Sequence, residues 1–199
     1  MQTENNMTGA EFLSDLNVLL STNGGLNKNV KQALRRLGEH ERADQVYIVS
    51  INHDMTFTIS EEWTKNGESV FPETDEKRSF YYDRKLEREL ERDNYIYIRD
   101  VNEVTNEGLK NIMHAMQVRC AIFLPLYISS HLFSFLCLSR CHDEEPWTKE
   151  EIDFLIQVAS VLSGALEKEL ILRKLVKQHA LYQDFIENRV DYILRLSRH

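Results

Sequence analysis

The chain reads as an α+β domain built on antiparallel hairpins, and three observations say so. The hydrophobic period changes from helical to two near residue 45. The stretch CAIFLPLYISSHLFSFLCLS, Cys120 to Ser139, runs for twenty residues without a formal charge, with β-branched or aromatic residues on both sides of a polar centre. From Thr148 onward a helical repeat continues, with no glycine or proline after Gly164.

In chain order, TGAEFLSDLNVLLST (8–22) carries Phe12, Leu13, Leu16, Leu19 and Leu20 at helical spacing. Thr8 with Glu11 three residues later is a capping box. Asn23, Gly24 and Gly25 interrupt that helix, and a second one near Asn27 to Glu39 has Val30, Ala33, Leu34 and Leu37 on one face. QVYIVSIN (45–52) and MTFTISEEWT (55–64) flank His53 and Asp54 as a hairpin. Its alternation puts Phe57, Ile59 and Trp63 on one side and Thr56, Thr58 and Ser60 on the other. A polar loop follows to Phe80, then DRKLERELERDN, read as a solvated helix because only Leu86 and Leu90 are apolar. YIYIRDV (95–101) is a third strand and NEGLKNIMHAMQV (106–118) a helix.

The uncharged stretch has the length of a membrane span, about twenty residues, but its middle is Tyr127, Ile128, Ser129, Ser130 and His131. A Ser-Ser-His turn between AIFLPLYI and LFSFLCLS explains that cluster better, and their near-continuous apolar character predicts strands covered on both faces. Pro125 gives up a ladder donor, so a bulge or a sheet-end position is expected there.

A composition of 42% hydrophobic and 28% charged residues, with three prolines and seven glycines, is that of a soluble globular chain. A net charge of −8 gives no electrostatic reason to bind nucleic acid. Cys120, Cys137 and Cys141 have no framework spacing and fit reduced thiols in the cytoplasm. The opening residues MQTENNMTGAEF lack the basic start and apolar run of a signal peptide, and neither a signal peptide nor insertion into a membrane is expected.

The last helix opens on a second capping box, Thr148 with Glu151, and Trp147 and Ile152 are placed as a hydrophobic staple. Ile152, Leu155, Ala159, Leu162 and Leu166 repeat three and four apart. At 1.5 Å per residue the helix would reach about 75 Å, beyond a small domain. Its distal stripe, Leu175, Tyr182, Phe185, Ile186, Ile193 and Leu196, must bury itself against a partner, and a parallel homodimer is the simplest solution.

RADQVYIVSIN, YIYIRDV and the run from MQVRCAIF to LSGALEK together resemble the GAF domain, a small-molecule-sensing and dimerising module of bacterial signalling proteins. The match covers roughly 26–170, leaving an N-terminal helix in 1–25 and a signalling coiled coil in 171–199. It implies a PAS-related antiparallel sheet of five to six strands, the terminal helices on one face and a ligand pocket under short helices and loops on the other. It also implies relay through the last helix to an output domain, as in two-component sensor histidine kinases.

Phytochrome-like members attach a bilin through a cysteine on the helix before the fourth strand. That helix has none in this sequence, and Cys141-His142 stands after the fifth strand, so no cofactor is expected. Asp100, where those members use an aspartate, reads as a strand-end or loop cap. The Asn-Lys and Phe-Asp-Glu pattern of cyclic-nucleotide binders is absent, as are GxGxxG, GxxxxGK and GxSxG.

The pocket wall is expected from Trp63, Tyr81, Tyr82, Tyr97, His114, Met116 and Arg119, and Arg119 favours an anionic small molecule. The chain itself is expected to be non-catalytic. A competing enzyme reading uses Cys120 with Cys137 or Cys141, in the manner of free methionine sulfoxide reductases, and a third reading is a ligand-free dimerising scaffold. A shared metal on Cys137 and Cys141 is opposed by about 13 Å of extended chain between them.

Overall fold

The computed structural model describes residues 7–22, 25–52, 56–69, 79–81, 84–141 and 146–196. Helices α1 (Gly9–Ser21) and α2 (Leu26–His40) precede strands β1 (Gln45–Ile51), β2 (Thr56–Thr64) and β3 (Ser79–Tyr81). Helix α3 (Arg84–Asp93), strand β4 (Ile96–Ile98), a 3-10 turn (Val101–Glu103) and helix α4 (Glu107–Ala115) lead to β5 (Cys120–Ile128), β6 (His131–Arg140) and α5 (Lys149–Leu196). The strands form one six-stranded sheet in the order β3-β2-β1-β6-β5-β4, with every described pairing antiparallel. The α+β expectation of a five- to six-stranded sheet is met. β3 is the strand that the charged stretch before it concealed.

The uncharged stretch is the β5–β6 hairpin at the centre of the sheet, and among the described residues no helix is long and apolar enough to cross a membrane. The turn is Ser129-Ser130, while His131 already belongs to β6. Both serines take the left-handed φ, 50° and 64°, that a two-residue hairpin demands and that Asn-Gly more often supplies. Pro125 pairs with Phe135, beyond the point where β4 stops opposite Phe123, so its missing N–H removes no bond to β4.

Alternation along β1, β5 and β6 sends Val46, Ile48, Ile122, Leu124, Leu126, Leu136 and Leu138 to one face. There they meet Phe12 and Leu16 of α1, Val30, Leu34 and Leu37 of α2, and Ile152, Leu155, Val158 and Leu162 of α5. Both capping boxes are present: Thr8 N donates to Glu11 Oε2 (2.8 Å) and Thr148 N to Glu151 Oε2 (2.6 Å), with the reciprocal bonds to Thr8 and Thr148 Oγ1. Trp147 and Ile152, the two staple residues, are both buried. As expected, the terminal helices cover one face together.

Two expectations need correction. In β2 the pairing shifts between Ile48 and Val49, opposite Glu61 and Ile59, leaving Ser60 as an extra residue whose hydroxyl donates to Ile48 O (3.2 Å). This bulge inverts the alternation, so Trp63 faces the terminal helices while Ile59 faces away, and the two do not share a side. The charged helix α3 is not merely solvated: Leu90 is buried in the opposite core.

Away from the turn, the sheet is closed by a buried arginine. The Arg140 guanidinium lies 4.1 Å from the Trp147 ring centroid and donates through Nη2 to Glu41 O (2.7 Å). Asp44 Oδ2 accepts from Cys141 N (2.7 Å). These contacts tie the α2–β1 connection to the end of β6 and the start of α5.

Gly38 of α2 carries Trp63 directly: a β-carbon there would stand 1.9 Å from Trp63 Cζ3. Gly38→Ala is therefore expected to cost about 1–3 kcal/mol in chemical denaturation, and Trp63→Leu in the same chain to recover part of it.

His40 sits between the rings of Phe12 (4.7 Å) and Phe154 (5.1 Å), with Nδ1 3.0 Å from Glu41 Oε1. The hydrogen bond to Glu41 raises the imidazole pKa against the opposing effect of burial. A raised folded-state value stabilises fully below the unfolded value, about 6.5, and that stabilisation is lost as pH rises through the folded one. Stability is expected to fall on going from about pH 6 to 8, less steeply in His40→Phe, as read from denaturation midpoints at each pH.

Candidate functional site

The sheet's second face is the candidate site. There β1, β5 and β6 present Tyr47, Val49, Ala121, Phe123, Phe135 and Cys137. Leu90 of α3, Val101 of the 3-10 turn, and Met113, Met116 and Val118 around α4 pack over them. Phe123 meets Phe135 edge-on at 5.8 Å between ring centroids. Two methionines and two perpendicular rings make an apolar, adaptable wall.

Local backbone chemistry places this roof. Asn106 Oδ1 caps α4 by accepting from Leu109 N (3.0 Å). The helix ends in a Schellman motif without glycine: Gln117, at φ 57°, donates to His114 O (3.0 Å), and Val118 N to Met113 O (2.8 Å). Met113 and Val118 supply the motif's apolar contact and also face the sheet.

Asp100 caps the 3-10 turn, its Oδ1 accepting from Asn102 N and Nδ2 (both 2.8 Å). The backbone hydrogen bond from Asn102 holds its carboxyl below the usual range, and Arg119 and Lys110 add to this. Its reading as a loop cap is met. Lys110 Nζ donates to Asn102 O (2.8 Å), so cationic groups gather at this rim.

The seven residues expected to line a pocket do not come together. Met116 is buried in the apolar wall, whereas His114 and Arg119 are exposed in the same region. Trp63 and Tyr97 lie on the opposite face, Trp63 against Gly38 and Tyr97 edge-on to Trp147 at 6.2 Å. For Trp63 the cause is the Ser60 bulge. For Tyr97 it is parity, because Ile96 and Ile98 take the short-helix side of β4. Tyr81 pairs through its backbone with Thr56, and Tyr82 lies outside the described residues. Sequence reading missed Tyr47, Phe123, Phe135 and Met113. The parity of β1, β5 and β6 would have found the first three.

The three thiols are free. Burial pushes Cys137 up to about 12 and Cys141 up to about 11, the latter with help from Asp44, and burial also raises Cys120. Tyr47 stands opposite Cys137 across the β1–β6 pair, and burial raises its phenol well above the usual value. Such thiols stay protonated near neutrality, which opposes nucleophilic use.

The profile of the family described as the GAF domain matches residues 26–166. No curated protein matches the chain. Among solved structures, the phycocyanobilin-bound GAF domain of a cyanobacterial phytochrome is similar at 12% identity and a TM-score of 0.69, covering 81% of this chain and 94% of that one. The blue-light absorbing form of the Thermosynechococcus elongatus PixJ GAF domain gives 18% and 0.62, covering 84% and 94%. The GAF domain of an Acinetobacter phosphoenolpyruvate-protein phosphotransferase gives 10% and 0.64, covering 83% and 97%. At these identities the likeness is one of fold.

At pH 8 a thiol pushed up to about 11 is thiolate in only about one molecule in a thousand. With a colorimetric disulfide reagent the native chain is expected to label at Cys141 slowly and at Cys120 and Cys137 only on unfolding. Rapid native labelling of Cys120 or Cys137 would restore the thiol-enzyme reading.

Proposed function

The chain belongs to the GAF domain family, and from that premise we propose that it is a regulatory domain that senses a small molecule and passes its state to a partner domain through α5. The observation that carries the proposal is the division of one sheet between two cores. The face under α3, the 3-10 turn and α4 is roofed by short elements, while the other face is fused to a helix of 48 residues, about 72 Å long, that overruns the sheet. Binding on one side of β5 and β6 has a direct mechanical route to the helix on the other.

The ligand is a small molecule with an anionic group. Its body packs on Phe123, Phe135, Met113 and Met116, and its charge lies toward Lys110 and Arg119 at the rim. A bilin attached through α4 is not proposed, since α4 carries no cysteine. His142 of the Cys141-His142 pair lies outside the described residues. The raised thiol values leave the competing methionine sulfoxide chemistry without support.

The relay reading further proposes a homodimer through the terminal helices. Ile171, Leu172, Leu175, Val176, Leu181 and Tyr182 are exposed large apolar residues on α5, and a second copy of the helix would cover them. A cytoplasmic two-component protein with a sensor histidine kinase output fits this arrangement, the domain itself being non-catalytic.

The ligand-binding part is tested on the full chain by native mass spectrometry and by thermal shift with a panel of small carboxylates and phosphate esters. At least one compound is expected to raise Tm by several degrees, as binding at about a hundred times Kd does. Phe123→Trp, which fills the wall, and Arg119→Ala should reduce that shift. No bound mass and no shift across the panel would favour the scaffold reading. For the dimer, sedimentation should show two chains per particle, and Leu175→Asp with Val176→Asp should yield monomers.

A further inference from the structure

We propose that Ser163 and Glu167 of α5 form a two-point clamp on the tip of the β5–β6 hairpin, and that this clamp sets both the axial position and the rotation of α5 on the sheet. They are positioning residues for the relay. The inference deepens the relay proposed above and rests on it for its purpose, whereas the clamp itself needs no ligand.

β5 outlasts its neighbour. The described β4 pairs with β5 only from Ala121 to Phe123, so the outer edge of β5 has no strand opposite Tyr127, nor does Ser129 in the turn that follows. Helix α5 takes that place. Tyr127 N donates to Ser163 Oγ (3.1 Å), and Ser129 N and Oγ both donate to Glu167 Oε1 (2.9 and 3.1 Å). Ser163 Oγ in turn donates to Ala159 O within the helix (2.8 Å), so this hydroxyl is used as donor and acceptor together.

The spacing makes the match specific. Residues 163 and 167 lie on one helix face about 6 Å apart along the axis, and each meets a different backbone amide, Ser163 that of Tyr127 near the end of β5 and Glu167 that of Ser129 in the turn. Sliding α5 by one turn would bring Ala159 to Tyr127 or Ile171 to Ser129, and neither side chain accepts a hydrogen bond. Rotating α5 by one residue would remove both acceptors at once. Packing is open beside the clamp, where a groove of about 680 Å³ is lined by Pro125, Tyr127, Ser160 and Gly164 among others, while the buried Leu155, Val158 and Leu162 hold the body of α5 to the sheet.

Hairpin and helix are therefore held at a point from which α5 runs about 44 Å further to Leu196. The hairpin carries Phe123 and Phe135 of the candidate site on its other face. A displacement of β5 and β6 reaches α5 through these bonds, and any change of tilt there grows along the free length of the helix.

The test uses the full chain without ligand. Amide exchange of Tyr127 and Ser129 is followed by NMR in the parent chain, Glu167→Ala, Glu167→Gln and Ser163→Ala, with Leu136 as the fold control. In parallel, spin labels at Thr105→Cys and Lys177→Cys in a Cys141→Ser background, diluted with unlabelled chain, report the placement of α5. Glu167→Ala is expected to speed exchange of both amides about tenfold and to broaden the label distance distribution, with Leu136 still protected. Glu167→Gln, which keeps an acceptor, should give a smaller effect of the same kind. Unchanged exchange overturns the clamp. So does a change confined to the amide facing the substituted residue with the label distances unaltered. Neither result bears on whether the second face binds a small molecule, which the thermal-shift panel decides separately.

Discussion

The structure depends on one constraint: the β5–β6 hairpin is buried on both sides at once. Ile122, Leu124, Leu126, Leu136 and Leu138 are removed from solvent against the terminal helices. Ala121, Phe123, Phe135 and Cys137, one residue out of phase, are removed against the short ones. Burying one such large apolar side chain contributes about 1.5–3 kcal/mol, and the hairpin supplies most of the sheet's share of both cores. That is why it carries no formal charge between Cys120 and Ser139. It is also why two serines suffice at a turn that usually needs glycine: register is fixed by burial on two faces, and the left-handed cost at Ser129 and Ser130 is small beside it.

Everything else is placed relative to that hairpin. β1 pairs along β6 from Gln45 to Ser50, and β4 along β5 over three residues. Arg140, at the end of β6, stacks on Trp147 and bonds Glu41 O, so the hairpin's base also anchors both the entry to β1 and the start of α5. At the opposite end the tip is held by Ser163 and Glu167. The long helix thus touches the hairpin at its base, along its body and at its tip, and its free length begins only after Glu167. In the proposed sensing role one face would bind and the other signal, and this hairpin is the wall that the two faces share.

Much of this was legible in the sequence, for local reasons. Capping boxes at Thr8 and Thr148 are complete within four residues, and a doubly buried hairpin is marked by a long uncharged run. Pro125 pointed to a bulge near the β5–β6 tip, and the register does shift just after it, between Leu126 and Tyr127, but the bulge in β2 was not legible. Ser60 sits in an ordinary alternating segment, and only the partner strand shows that it is the extra residue that turns Trp63 to the other face. In β6 the extra residue is Phe133, on the strand opposite the one whose proline signalled irregularity. The end of α4 was hidden because Gln117 adopts the conformation that sequence reading looks for in glycine. Leu90, one of two leucines in a charged helix, reads as surface until α3 is seen lying on β5. The candidate site was the least legible part. It was sought among conspicuous aromatics, whereas its wall follows from strand parity at Tyr47, Phe123 and Phe135.

If burial on both sides organises the fold, β5 and β6 form the last element to open, with the two faces as separable layers on it. Native-state hydrogen exchange across a denaturant series measures this directly. The amides of Ile122, Leu124, Leu136 and Leu138 are expected to exchange only through global unfolding, while those of α3 and α4 exchange through a smaller opening that leaves the hairpin protected. Exchange of the hairpin amides at a lower free energy than those of α4 would contradict it.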